Sequence, residues 1–162
     1  MQTPGAGHTP QGALFTEVVL EIFRLNGALI GAGNRLGGSS GLTAARWQTL
    51  GAIALAGRAL TVSQIARTMG LTRQSVQRVV DELEGSGIVR RTAHPESRRA
   101  RLVSLTAAGE SAYAKVSGRQ RPWANRLAQG ATQAQLTTAL HVVRRLREQL
   151  ETEEHDHATA ET

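Results

Sequence analysis

The chain has 162 residues, enough for one domain with appended helices, and aromatic residues make up only 3% of it. A core must therefore be built from Leu, Val, Ile and Ala, which favours helices packed on helices over a sheet sandwich, and the absence of cysteine excludes disulfides, thiolate zinc sites and cysteine redox chemistry. The formal net charge of +6 points to a polyanionic partner; the arginines bunch at 90–101 while the chain from Glu148 onward is acidic, so the binding face is local.

Residues 1–11, rich in Gly, Pro and Thr, read as a disordered N-terminal segment. A helix is expected over 12–36, where Phe15, Val18, Val19, Ile22, Leu25 and Leu29 recur at helical spacing. A Gly/Ser run at 37–41 breaks it. Thr43 caps a second helix over 44–56, and Gly57 ends it. Thr61, with Gln64 three residues on, opens a third helix to Met69 as a capping box. Gly70 and Leu71 form a turn, and Thr72 caps a fourth helix to Glu84. Two strands, 88–92 and 101–105, flank the polar tip His94-Pro95-Glu96-Ser97-Arg98 and form a hairpin. Thr106 caps a fifth helix over 107–128. Thr132 and Gln135 open a sixth, to about 152, whose Ala139, Val143, Leu146 and Leu150 make a seam for another helix, within the chain or from a second copy. Residues 153–162 read as a disordered acidic tail.

The segment 62–83 carries the functional argument. Ala66, Gly70, Val76 and Val79 have the order of a helix-turn-helix: a small residue where two helices approach steeply, and a glycine where a tight turn needs positive φ. Val76, Val79, Val80 and Leu83 form the inward stripe of the second helix. Thr72, Arg73, Gln74, Gln77, Arg78 and Asp81 then face outward, with Ser75 near the cap. Arg can pair with guanine and Gln with adenine in a major groove, and Thr72 with the helix amides can hold a phosphate. An ordinary helical hairpin with a solvated face has the same spacing. The basic hairpin that follows, with Arg90, Arg91, Arg98, Arg99 and Arg101, makes a wing able to reach a minor groove and weighs against that plainer reading.

Residues 42–110 resemble the winged helix-turn-helix core of the MarR family of transcription regulators, through LTVSQIARTMGLTRQSVQRVVDELEGSGIVRR (60–91) and HPESRRARLVSLTAAGE (94–110). The resemblance implies a mainly α fold of six helices with a small β-wing, one domain over 12–152, the winged helix-turn-helix at 42–106, and a homodimer built by helices 12–36 and 107–152. It implies double-stranded DNA as partner, a pseudo-palindromic operator and repression. Thr72, Arg73, Gln74, Ser75, Gln77 and Arg78 match recognition-helix positions, and Arg98 and Arg99 match the basic pair of the wing. Arg98 is expected to enter the minor groove and Arg99 to pair with Asp81. His94, Glu96 and Ser97 depart from the family's Asp, Arg and Asp, and Glu96 would repel a phosphate. Rival readings are an architectural protein that binds DNA without sequence preference and an anti-regulator that binds protein with the same fold.

The family also implies a small aromatic or phenolic effector in a cleft, which Arg46 and Trp47 could line; Trp47 also reads as core, and Trp123 has the same two readings. His155-Asp156-His157 offers metal-ligand types too few for a structural zinc site. No nucleophile elbow, phosphate loop or metalloprotease motif is present, so no enzyme and no cofactor is expected. Gly27, Gly31 and Gly33 lie in a helical pattern and allow close packing or weaken the helix. No run of about 18 apolar residues suggests a membrane span, and no secretory leader is recognisable at the N-terminus, so the expected compartment is the cytoplasm.

Overall fold

A computed structural model describes residues 7–160, without the side chains of 154, 155 and 157–160. In chain order it shows α1 (Pro10–Gly38), α2 (Ala44–Ala56), β1 (Leu60–Thr61), α3 (Val62–Met69), α4 (Arg73–Gly85), β2 (Val89–His94), β3 (Ser97–Leu105), α5 (Ala107–Ala128) and α6 (Gln133–Ala160). The strands form one antiparallel sheet in the order β1-β3-β2. This is the mainly α winged helix-turn-helix fold that the sequence implies.

The caps act where the sequence places them. Thr43 Oγ1 accepts from the Arg46 amide, and Thr61 and Gln64 satisfy each other's backbone amides at 3.2 and 2.8 Å. Thr72 Oγ1 accepts from the Ser75 amide at 3.1 Å. Each cap meets one of the donors that a helix start leaves without an internal partner.

The core is aliphatic. Leu50, Ile65, Val76, Val80, Leu83, Val89 and Val103 are buried in one cluster drawn from α2, α3, α4 and the sheet, joined by Val116 of α5. The one buried polar residue of the described core, Thr49, donates its hydroxyl to the Ala45 carbonyl at 2.9 Å, so its burial leaves no unmet group. Helix α1 lies close to α2 and to the connection before it: a Cβ on Gly33 would lie 2.9 Å from Ala44 Cβ, and one on Gly37 would lie 2.0 Å from the carbonyl oxygen of Leu42, two residues before α2. Asn34 also reaches across to accept from the Ala44 amide at 2.7 Å. Of the three helical glycines singled out in the sequence, Gly33 permits close packing, whereas Gly27 faces open space and Gly31 meets only the Arg35 side chain.

Several boundaries differ from expectation. Helix α1 begins at Pro10, capped by Thr9, so the expected disordered segment gives up its last residues; residues 1–6 lie outside the described ones. Helix α6 runs on to Ala160, where an acidic tail from 153 was expected. Glu and Ala are good helix formers, and neither Gly nor Pro occurs between Gln133 and Ala160 to stop it. Residues 161–162 are outside the described set. The hairpin strands extend further toward the tip than 88–92 and 101–105. The chain divides into two compact units, one ending at Gln120 and the other beginning at Arg121.

Long helical faces stay uncovered. On α1, Phe15, Phe23, Leu25 and Leu29 are exposed, and on α6 so are Val143 and Leu150 of the expected seam; Ala139 is exposed as well and Leu146 is half-buried. Trp123 is half-buried.

Candidate nucleic-acid interface

Helices α3 and α4 meet through the turn at Gly70. Gly70 takes φ +61°, and the Leu71 amide donates back to the Ala66 carbonyl at 2.9 Å, closing α3 as a left-handed cap. Ala66 is buried beneath the junction. Val76, Val79, Val80 and Leu83 anchor α4 to the core, as the inward stripe predicts.

That anchoring turns the opposite face of α4 outward. Thr72, Arg73, Gln74, Gln77 and Arg78 are exposed, and Ser75 is half-buried beside the cap. Among the described residues, Arg73, Gln74 and Arg78 have no side-chain partner within the chain. Their donors are therefore free for an external acceptor. Thr72 Oγ1 is used as an acceptor by the cap, but its hydroxyl proton is not. Gln77 Nε2 donates to Asp81 Oδ1 at 2.9 Å, which leaves one amide hydrogen and the carbonyl oxygen to face outward together.

The wing is braced against α4 by a different arginine from the one expected. Asp81 pairs with Arg91, not with Arg99. Arg91 also reaches Glu84, its Nη1 standing 2.5 Å from Oε2, and its amide donates to Glu84 Oε1 at 3.2 Å. The reason lies in strand alternation: Val89 points into the core, so Arg91, two residues on, points to the same side and meets α4. The hydrogen bond from Arg91 holds the Asp81 carboxyl below the ordinary carboxylate range; partial desolvation works in the opposite direction, and Gln77 assists Arg91.

Arg99 is elsewhere because the hairpin is irregular. Ala93 pairs with Arg101, yet His94 pairs with Ser97, so residues 98–100 of β3 have no partner opposite. Arg98 and Arg99 are carried on this bulge, exposed and without an ion pair. The tip itself is held by two local bonds: the Glu96 amide donates to His94 Nδ1 at 3.1 Å, and the Ala100 amide to Ser97 Oγ at 3.1 Å. His94 and Ser97, which depart from the family pattern, are thus the residues that shape the tip.

A second brace ties α4 to α2. Arg46 places Nη2 3.0 Å from Glu82 Oε2 and donates Nη1 to the Gly41 carbonyl at 3.3 Å. Its guanidinium thus acts as a strut between the two helices. Trp47, half-buried against the core, does line a cavity of ≈ 340 Å³, with Gln48, Gly51, Leu55, Met69, Tyr113, Ser117 and Gln120. Trp47 thus packs on the core with one part of its ring system exposed to this cavity.

A family model described as MarR family matches residues 40–100, the span of this helix-turn-helix and wing. The chain belongs to the MarR family of transcription regulators. Members of that family are regulators and not enzymes. The Mycobacterium tuberculosis protein Rv2011c is 36% identical over 129 residues, which is 80% of this chain and 89% of its own. The M. tuberculosis regulator MosR, solved in complex with DNA, shares the fold at a TM-score of 0.68 and 23% identity, over 82% of this chain and 96% of its own. NadR, solved with 4-hydroxyphenylacetate, does so at a TM-score of 0.72 and 17% identity, over 90% of this chain and 97% of its own. Two features escaped the sequence reading: the β1 strand and the Arg91 brace. An arginine at alternation distance from a buried valine was the available signal for the second.

Among the described residues no helix is long and apolar enough to cross a membrane, and no group of His, Asp and Glu is placed to hold a metal. His155 and His157 lie outside the residues whose side chains are described.

Proposed function

We propose that this chain is a homodimeric repressor that binds a pseudo-palindromic operator in duplex DNA. One observation carries the reading: α4 presents Arg73, Gln74 and Arg78 outward and unpartnered, beside a wing whose Arg98 and Arg99 are equally free. Thr72 and Ser75 at the start of α4 approach the phosphate backbone, and Arg73, Gln74, Gln77 and Arg78 read base edges in the major groove. Arg98 and Arg99, both on the bulge, take the minor groove and its phosphates. MosR, of like fold, is solved with DNA, which supports this use of the face. The exposed apolar stripes of α1 and α6 are the surfaces through which two copies pair.

The cavity beside Trp47 is proposed to take a small aromatic or phenolic effector that releases the operator. Its wall of Trp47, Leu55, Met69 and Tyr113 suits a ring, and NadR, of like fold, is solved with such a compound.

The test is selection of bound sites from a random duplex pool, followed by affinity measurements with Arg73→Ala and Arg98→Ala. A two-fold symmetric consensus with half-sites about one helical turn apart is expected. Arg73→Ala should relax base preference at a single position in each half-site, costing about 1–3 kcal/mol against the preferred base. Arg98→Ala should weaken binding evenly across sequences and flatten its salt dependence. Equal binding to all duplexes would make the protein an architectural one, and no binding at low salt would leave it an interaction module; either result sinks the repressor reading.

A further inference from the structure

Away from the α4 face, a cavity of ≈ 520 Å³ lies between the end of α1 and the first turns of α5. Its lining is chemically one-sided. Ser39 and Ser40 come from the end of α1, and Ser111, Lys115 and Arg119 from α5, over a small floor of Ile88, Ala108 and Ala112. Ala108, Ser111, Lys115 and Arg119 follow one another by three or four residues, so they share one face of the helix. No carboxylate lines the cavity.

Arg119 is held in place. Its Nη1 donates to the Leu36 carbonyl at 3.1 Å and to Ser40 Oγ at 3.2 Å, so its remaining donors are presented in a fixed direction. A cation already ordered loses less entropy when it binds an anion. Lys115, the chain's single lysine, has no ion-pair partner among the described residues. An arginine fork, an ammonium and three hydroxyls then converge from two sides. A carboxylate holds its two oxygens in one plane with its carbon, whereas a phosphate sets its oxygens out as a tetrahedron, three of them terminal in a monoester and two in a diester, and can meet donors from both walls.

We propose that this cavity is a phosphate-binding site, independent of the recognition helix, that takes either the phosphate of a small ester or a DNA backbone phosphate. Occupation would bridge the end of α1 to the start of α5.

The test uses the full chain, with amide and Lys115 side-chain NMR signals followed as inorganic phosphate is added at constant ionic strength, chloride serving as the control. Saturable shifts at Ser39, Ser40, Ser111 and Lys115 are expected, with affinity about fivefold or more weaker in Lys115→Gln and in Ser111→Ala. Both substitutions lie on an exposed helix face and leave the core untouched. Operator affinity of Lys115→Gln separates the two sources: no change assigns the site to a free phosphate ester, and a loss with the salt slope reduced by about one assigns it to the DNA backbone. Shifts that track ionic strength alone, or that persist unchanged in both variants, would overturn the proposal whatever the outcome for the operator.

Discussion

Replacing Leu83 by alanine removes three carbons from the inward stripe of α4, where the leucine is 1% exposed within the core cluster. Buried Leu→Ala changes cost about 2–5 kcal/mol, the transfer of the lost carbons plus the cavity they leave. The cluster is closely buried and aliphatic throughout, so a cost in the middle of that range, near 3 kcal/mol, is expected. For a chain of this size each kcal/mol lowers the melting temperature by about 2–4 °C, so a drop of roughly 6–12 °C is expected. Leu55→Ala provides the control. Leu55 belongs to α2 and is 78% exposed, and its loss should stay within about 0.5 kcal/mol. Urea unfolding of both variants at one protein concentration, with the slope compared as well as the midpoint, measures the difference. If Leu83→Ala costs under about 1 kcal/mol, or no more than Leu55→Ala, then the α4 anchoring described above is wrong.

The remaining expectations concern the brace and the helix contact. In Arg91→Gln, Asp81 should titrate closer to the ordinary carboxylate value, read from its carboxyl carbon by NMR. Because its pKa is depressed in the folded state, its stabilising contribution is present above the ordinary value and disappears as pH falls through the folded one; this acid-side loss should shrink in the variant. An unchanged Asp81 titration would refute the brace. Gly37→Ala should destabilise by about 1–3 kcal/mol, since the added Cβ would stand 2.0 Å from a backbone carbonyl oxygen. Gly27→Ala, facing open space in the same helix, should stabilise by about 0.5–1 kcal/mol; equal effects at the two positions in thermal melts would contradict the close approach of α1 to Leu42.

Local chemistry was legible in the sequence. Thr43, Thr61 with Gln64, and Thr72 each sit where a helix start needs an acceptor, and the short-range geometry of a cap depends on a few neighbouring residues alone. The turn at Gly70 and the stripe Val76, Val79, Val80 and Leu83 are local in the same sense, so the outward face of α4 followed from them. What needed the tertiary structure were relations between residues distant along the chain. Strand β1 has two residues, too few for an alternation pattern, and exists because the edge of β3 is there to pair with it. Leu55 and Leu83 both belong to helical apolar patterns, but only packing decides that one is exposed and the other buried. The partner of Asp81 depended on the register of β2 and on a bulge that carries Arg98 and Arg99 out of the ladder. A one-residue change of strand register turns every side chain to the other face, so the sequence determined which arginines this wing holds, and the folded sheet decided that Arg91 braces α4 while Arg98 and Arg99 stay free.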